Sequence, residues 1–550
     1  MATENFSPVD PSSILSFLKE LFVYSSETPL LFNSWQFLVL FLLFFGGYLY
    51  LAGEKRIRTI YVILFSLFFY YKCSGIYFYL LILSTLIDFY LGHRIYRAPT
   101  MLEKRMFLMM SLVANLGILA YFKYTGFFAE TLNALMGTSV EIWDIFLPVG
   151  ISFYTFQTMS YSIDIYRGKL TPSEDLLEFA FFVTFFPQLV AGPIVRAADF
   201  IPQIRQKINV SLDDLGKAFL LICSGLFKKA VISDYIGINF VDRVFENPTL
   251  YSGFENLLGI YGYALQIYCD FSGYSDIAIG LGLLLGFRLP ENFRSPYQAA
   301  SIREFWRRWH ISLSSWLRDY LYISLGGNRR GKWRTYLNLM ITMLLGGLWH
   351  GASWKFVAWG GLHGLALAVE RLFQSSGEAM LHWWNRQVNT VDKFVMKHCL
   401  HSRNLLLVAV WFIYDSAGNL YWATRRAYLP LHQRYMKQLL SVFLTFHFVC
   451  FCWIFFRAES FGLAMEMMNQ IYSAFHWGII PQVLWGYKEV LGLMVLGYLL
   501  HFIPDRIDQR VESLFVHSPM LVQSLTLALI IWLTIQTQTA GVRPFIYFQF

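Results

Sequence analysis

Imidazole, guanidinium and indole groups crowd three short stretches in mid-chain: Arg303-Glu-Phe-Trp-Arg-Arg-Trp-His310-Ile-Ser-Leu-Ser-Ser-Trp-Leu-Arg-Asp319, Gly326-Gly-Asn-Arg-Arg330 and Leu348-Trp-His350-Gly-Ala-Ser-Trp354. The residues around them are apolar enough for membrane. His350 ends a run of about fifteen mostly apolar residues from Tyr336, which at 1.5 Å per residue reaches ~22 Å into a bilayer core of ~30 Å. An ionisable ring at that depth is a candidate functional group. A neutral imidazole can take the proton of an attacking hydroxyl. Wound as one helix, Ile302 to Tyr320 puts Ile302, Phe305, Trp309, Leu313, Trp316 and Tyr320 on one stripe, with His310, Arg303, Arg307 and Ser314 in a narrow arc beside it. Such a helix would lie along a membrane surface or line a cavity, cations outward.

The elements that must position these groups are membrane helices. The chain of 550 residues is 56% hydrophobic, 19% aromatic and 15% charged, against ~25% charged in soluble domains. The net charge of +8 sits in loops between apolar runs, which speaks against nucleic acid as a partner. The six cysteines are scattered through apolar segments without metal-ligand spacing, so no metal site is expected. Met1 to Ser13 has neither a positive side chain nor an apolar centre, and no signal peptide is expected there. An interfacial helix is expected within 1–34, followed by spans at Trp35–Leu51, Ile60–Tyr71, Ile76–Leu91, Met106–Tyr121 and Phe146–Tyr166. Basic loops after the first and third of these spans place both loops in the cytoplasm and the N-terminus outside.

Pro187 and Gly192-Pro193 should break the segment 181–195 into a re-entrant or broken form. Lys228-Lys229 is expected at a helix end, and Leu257–Phe287 looks too long and glycine-rich for one simple span. Eight Lys/Arg against two acids from Arg303 to Arg334 place that stretch at the cytoplasmic side. Later spans are expected at Trp354–Val369, Leu439–Phe456, Val490–Phe502 and Leu521–Ile535, for about 11–13 membrane segments in all.

The segments FWRRWHISLSSWLRDYLYISLGGN (305–328) and GGLWHGASW (346–354) resemble the membrane-bound O-acyltransferase (MBOAT) family, as do FFPQLVAGPIVR (185–196) and QIYCDFSGYSDIAIG (266–280). The likeness is to the bacterial branch that includes the alginate O-acetyltransferase membrane subunit and the teichoic-acid D-alanyl transfer protein, and it runs from about Pro148 to Arg371. It implies an all-α polytopic bundle with broken helices around a tunnel. It also implies acyl transfer from a cytoplasmic thioester, with His350 as the base and His310 positioning the thioester. The C-terminal Phe545-Ile-Tyr547-Phe-Gln-Phe550 fits F-x-Y-x-x-F, a motif in which the family resemblance makes Tyr547 an acyl relay; the residues alone read as an aromatic interfacial anchor.

No cofactor is expected to be bound; the donor would be acetyl-CoA or an acyl-phosphopantetheine carrier protein. Arg303, Arg307, Arg308, Arg329 and Arg330, with Asn328, are candidates for its phosphates, although cations also mark cytoplasmic loops whether or not they bind anything. Gln188, Asp270, Asp276, Ser314 and Asp319 are expected as polar groups of the tunnel, and His363 as structural. No serine-nucleophile elbow occurs, so final transfer to a polysaccharide would need an extracytoplasmic SGNH-type partner.

The organisation expected is an interfacial segment (1–34), a catalytic core (35–372), a helical insertion (373–435), C-terminal helices (436–543) and the motif (544–550). The setting is a bacterial cytoplasmic membrane, with lipid around the chain. D-alanyl transfer to teichoic acid is the alternative. A secondary transporter would need two matching halves, which the sequence lacks.

Overall fold

Apolar runs punctuated by glycine, proline and capping residues fold into helices throughout the described residues, and no strand occurs among them. The computed structural model describes residues 11–26, 29–141, 143, 145–373, 431–537, 545 and 546, with backbone alone over 11–16 and 431–435. Tyr547, Phe550 and nearly all of the expected insertion 373–435 lie outside the described residues.

Among the described residues four helical stretches are long and apolar enough to cross a membrane: Lys55–Arg97, Met101–Met136, Met436–Arg457 and Met520–Thr537. A fifth span follows if Trp477–Gly486 and Lys488–His501, bent by 86°, count as one. The first stretch has 43 residues, ~65 Å of helix if straight, about twice a bilayer core. It is interrupted between Lys55–Ser74 and Phe78–Arg97, where Gly75 takes a left-handed φ of 59°. Trp35–Tyr50 is shorter, starting at Ser34, whose Oγ accepts from the Phe37 N–H.

The segment 181–195 breaks as its prolines and glycine require. Leu176–Thr184 stops, Phe186–Leu189 makes one turn, and irregular chain runs on to Arg196. Irregular backbone within a membrane protein's apolar zone must be enclosed by protein, and here Phe186 is fully buried, with Phe44, Phe65 and Phe69 at 5.1–5.7 Å between ring centres.

Residues 257–287 belong to Gly253–Leu284, one continuous helix of 32 residues, ~48 Å if straight and longer than a bilayer core of ~30 Å. Its glycines serve packing, since a Cβ at Gly225 would lie 2.5 Å from the Gly273 carbonyl, so the helices Leu212–Leu226 and Gly253–Leu284 meet backbone to backbone. The expectation that Lys228 and Lys229 stand at a helix end is overturned. They lie within a π-helical stretch, Phe227–Asp234, that continues Leu212–Leu226, and both are ion-paired to the 253–284 helix. One end of that long helix enters a core with Trp309, Trp359 and Trp453, and the other enters the core around Phe186.

Candidate active site

The stretch from 302 to 322 is not the single helix that its apolar stripe suggests. Ser301 caps Ile302–Arg308, the chain breaks at Trp309-His310, and Ile311–Trp316 resumes before a π-helical turn, Leu317–Tyr322. His310 sits at the break with φ 43°, a left-handed conformation that costs an L-residue ~1–2 kcal/mol. Asn292 holds it there: its carbonyl accepts from Ile311 N–H at 2.9 Å, and its Oδ1 accepts from the Ser312 N–H and hydroxyl. The break turns His310 inward. Its ring is fully buried, 4.6 Å from Phe271 and 5.7 Å from Trp349.

His350 closes the helix Lys332–His350. It is buried, 6.5 Å from His310 and 5.0 Å from Trp359 between ring centres. The last carbonyls of a helix need outside donors, and two consecutive residues supply them. Tyr124 donates its hydroxyl to Leu348 O at 2.7 Å, while Lys123 Nζ donates to Trp349 O at 2.7 Å and His350 O at 3.1 Å. Both come from one π-helical turn, Ala120–Tyr124.

His350 lines two cavities. The larger, about 810 Å³, carries Arg303, Arg307, Ser314 and Asn328 among its walls, together with Arg318 and Arg371. Its lining holds four arginines and no carboxylate, a setting for a polyanion. Arg307 and Arg371 have no ion pair among the described residues, whereas Arg303 is 4.0 Å from Glu370 and Arg318 is paired to Asp319. The smaller cavity, about 50 Å³, is walled by Lys123, Val149, Ser152, Phe153, Val190 and Trp349 among others. His350 is the one residue common to both linings.

The remaining candidates lie elsewhere. Arg308 is paired to Glu304 at 2.8 Å, and Arg329 and Arg330 are exposed outside the cavity. Asp319 pairs with Arg196 at 2.7 Å as well as with Arg318. Gln188 is buried, its Nε2 donating to Phe182 O. His310 abuts His350 without lining either cavity. His363, fully buried, packs against Trp359 and Trp306. No group of three or more metal-ligating side chains occurs among the described residues.

Asp276 accepts from Lys228 at 2.7 Å, and Asp270 is paired to Lys229, which also reaches Asp234 at 2.8 Å. The second oxygen of Asp270 accepts the Ile546 N–H at 2.9 Å. Sequence reasoning did not find Lys123, Arg318 or Arg371. Nothing in the sequence around Lys123 marks it; Arg318 was in view only as part of a basic stretch.

Residues 171–379, which hold both histidines and all four cavity arginines, match the profile of the MBOAT, membrane-bound O-acyltransferase family. A probable alginate O-acetylase, AlgI, of Pseudomonas putida is 44% identical over 349 residues, 62% of this chain and 71% of the relative. The chain belongs to the MBOAT family. As an MBOAT protein it is a membrane acyltransferase, and its all-helical fold agrees with that. This MBOAT chain is also similar to a peptidoglycan O-acetyltransferase of Helicobacter pylori, 34% identical over 488 residues (83% of this chain, 81% of the relative). A teichoic acid D-alanyltransferase of Bacillus subtilis is 26% identical over 325 residues (57% and 69%).

Proposed function

We propose that this acyltransferase takes an acetyl group from a cytoplasmic thioester, acetyl-CoA or an acyl-phosphopantetheine carrier, and passes it across a bacterial cytoplasmic membrane for O-acetylation of an extracytoplasmic polysaccharide. The observation that carries the reading is the position of His350, at the meeting of an arginine-lined cavity and a second chamber. Donor phosphates would pair with Arg303, Arg307, Arg318 and Arg371, leaving the thioester beside the imidazole. In the transfer, His350 takes the proton of the attacking hydroxyl, the oxygen bonds to the acyl carbon, and the C–S bond breaks. The thiolate leaves and recovers the proton from the imidazolium. His310 holds the wall behind His350.

The hydroxyl is that of Tyr547. Support comes from its two predecessors in the chain: Phe545 is buried 5.2 Å from Phe271, and Ile546 is held by Asp270. An extracytoplasmic SGNH-type partner would then move the group to polymer. The orientation is N-terminus out, with the arginine cavity opening to the cytoplasm. Relatives that acetylate by name, matched at 34–44% identity, favour acetyl over D-alanyl. Tyr547→Phe tests the relay, since it removes only the hydroxyl. Polymer acetylation should be lost, and the wild-type C-terminal peptide should carry an acetyl adduct on Tyr547 by mass spectrometry. Wild-type acetylation by the variant would reduce the tail to an anchor.

A further inference from the structure

The small chamber beside His350 has a chemistry of its own. It measures about 50 Å³, and since one water needs at least ~10–15 Å³ by the same measure, it admits about four water-sized groups. Its lining side chains are apolar apart from Ser152, Lys123, His350 and the indole N–H of Trp349, and they include no carboxylate. Lys123 is the one lysine or arginine in the lining. Protonated, its amine has three donors, of which two are committed to Trp349 O and His350 O. The third is left for whatever enters. We propose that this chamber is the acyl subsite, with Lys123 as the residue that makes it specific for a small, uncharged acyl group.

The subsite rests on the acyl-transfer reading above and adds to it the residues that would select the acyl group. A carbonyl oxygen in the chamber can accept from Lys123. As the hydroxyl oxygen bonds to the acyl carbon and the C–S bond breaks, the carbonyl oxygen gains and then loses negative charge, which a preorganised N–H donor stabilises. The methyl of an acetyl group meets Val149, Phe153 and Val190. An aminoacyl group such as alanyl brings an ammonium instead. It would lie beside Lys123, a second basic group, with no acid to pair with, which is unfavourable. Longer uncharged chains meet the limit of volume. The chamber thus rejects one competitor by charge and another by size.

The experiment uses the full-length protein in liposomes, supplied with acetyl, butyryl or alanyl thioesters of phosphopantetheine, the arm common to both candidate donors. Wild type should consume the acetyl thioester at least about tenfold faster than the alanyl one, and ~10–200-fold faster than the butyryl one. Val190→Ala should bring butyryl about tenfold closer to acetyl. Lys123→Met should lower acetyl consumption ~10²–10³-fold and erase the preference over alanyl in what activity is left, while Lys123→Arg should keep that preference. Wild type taking alanyl as fast as acetyl, or Val190→Ala leaving the butyryl-to-acetyl ratio unaltered, overturns the subsite, and these two arms decide it even if Lys123→Met fails to insert. A wild-type protein that consumes no acetyl thioester refutes the acyl-transfer reading itself, a different result from consumption with the wrong selectivity.

Discussion

Replacing Asp270 with asparagine should loosen the C-terminal tail without unfolding the protein. One carboxylate oxygen is paired to Lys229 and the other accepts the Ile546 N–H at 2.9 Å, so a single side chain ties the tail to a buried cation. Lys229 keeps Asp234 at 2.8 Å, so Asp270→Asn strands no buried charge. Asparagine has one acceptor oxygen to divide between two donors. Losing a hydrogen bond to a charged group costs ~1.5–3 kcal/mol, which at 1.4 kcal/mol per tenfold raises the undocked population about 10–150-fold. Carboxypeptidase digestion reads that population when cleavage is slow against re-docking. Intact-mass measurement should show cleavage at Ile546 faster by that factor in the variant, with membrane insertion unchanged. Equal rates would refute the reasoning and leave the tail held by apolar burial of Phe545 and Ile546, ~1.5–3 kcal/mol each.

His350→Ala should lower thioester consumption ~10²–10⁴-fold, the worth of a general base, while the protein still accumulates in the membrane; activity within a few-fold of wild type would remove His350 from the chemistry. Arg307→Glu and Arg371→Glu, at the two cavity arginines without an ion pair among the described residues, should each raise KM for the phosphorylated donor by about tenfold or more and leave KM for a donor lacking phosphates unaltered. Equal effects on both donors would mean that these arginines do not read phosphate.

That His350 closes a helix was legible because a mostly apolar run ends on it, and the break at 181–195 because Pro187 and Gly192-Pro193 cannot continue a helix. The break at Trp309-His310 was not, since no glycine or proline marks it; it is imposed by Asn292, which hydrogen-bonds to residues 311 and 312 after the fold has formed. The same limit explains Lys228 and Lys229. A pair of lysines in an apolar run reads as a helix end until Asp270 and Asp276, some forty residues on, are packed beside them. Among the arginines, the Arg308 pairing with Glu304 four residues earlier was readable as a helical ion pair. Which of the others face the cavity depends on the break at His310, and so was not. What the glycines in Gly253–Leu284 do was not legible, because in a membrane bundle they bring helices together as readily as they interrupt them.

On the transfer proposed above, two cavities that share one imidazole also make that imidazole a seal. An enzyme handing acyl groups across an energised membrane must not hand ions or water across with them, because each elementary charge leaking through 100 mV dissipates ~2.3 kcal/mol. The smaller cavity is wide enough for water, so the barrier there comes down to the closeness with which Trp349, Trp359 and Phe456 press on the His350 ring. On that reading, tight aromatic packing around His350 would be a requirement of bioenergetics as much as of catalysis: the ring would exchange its proton with a substrate only while the substrate itself plugs the gap.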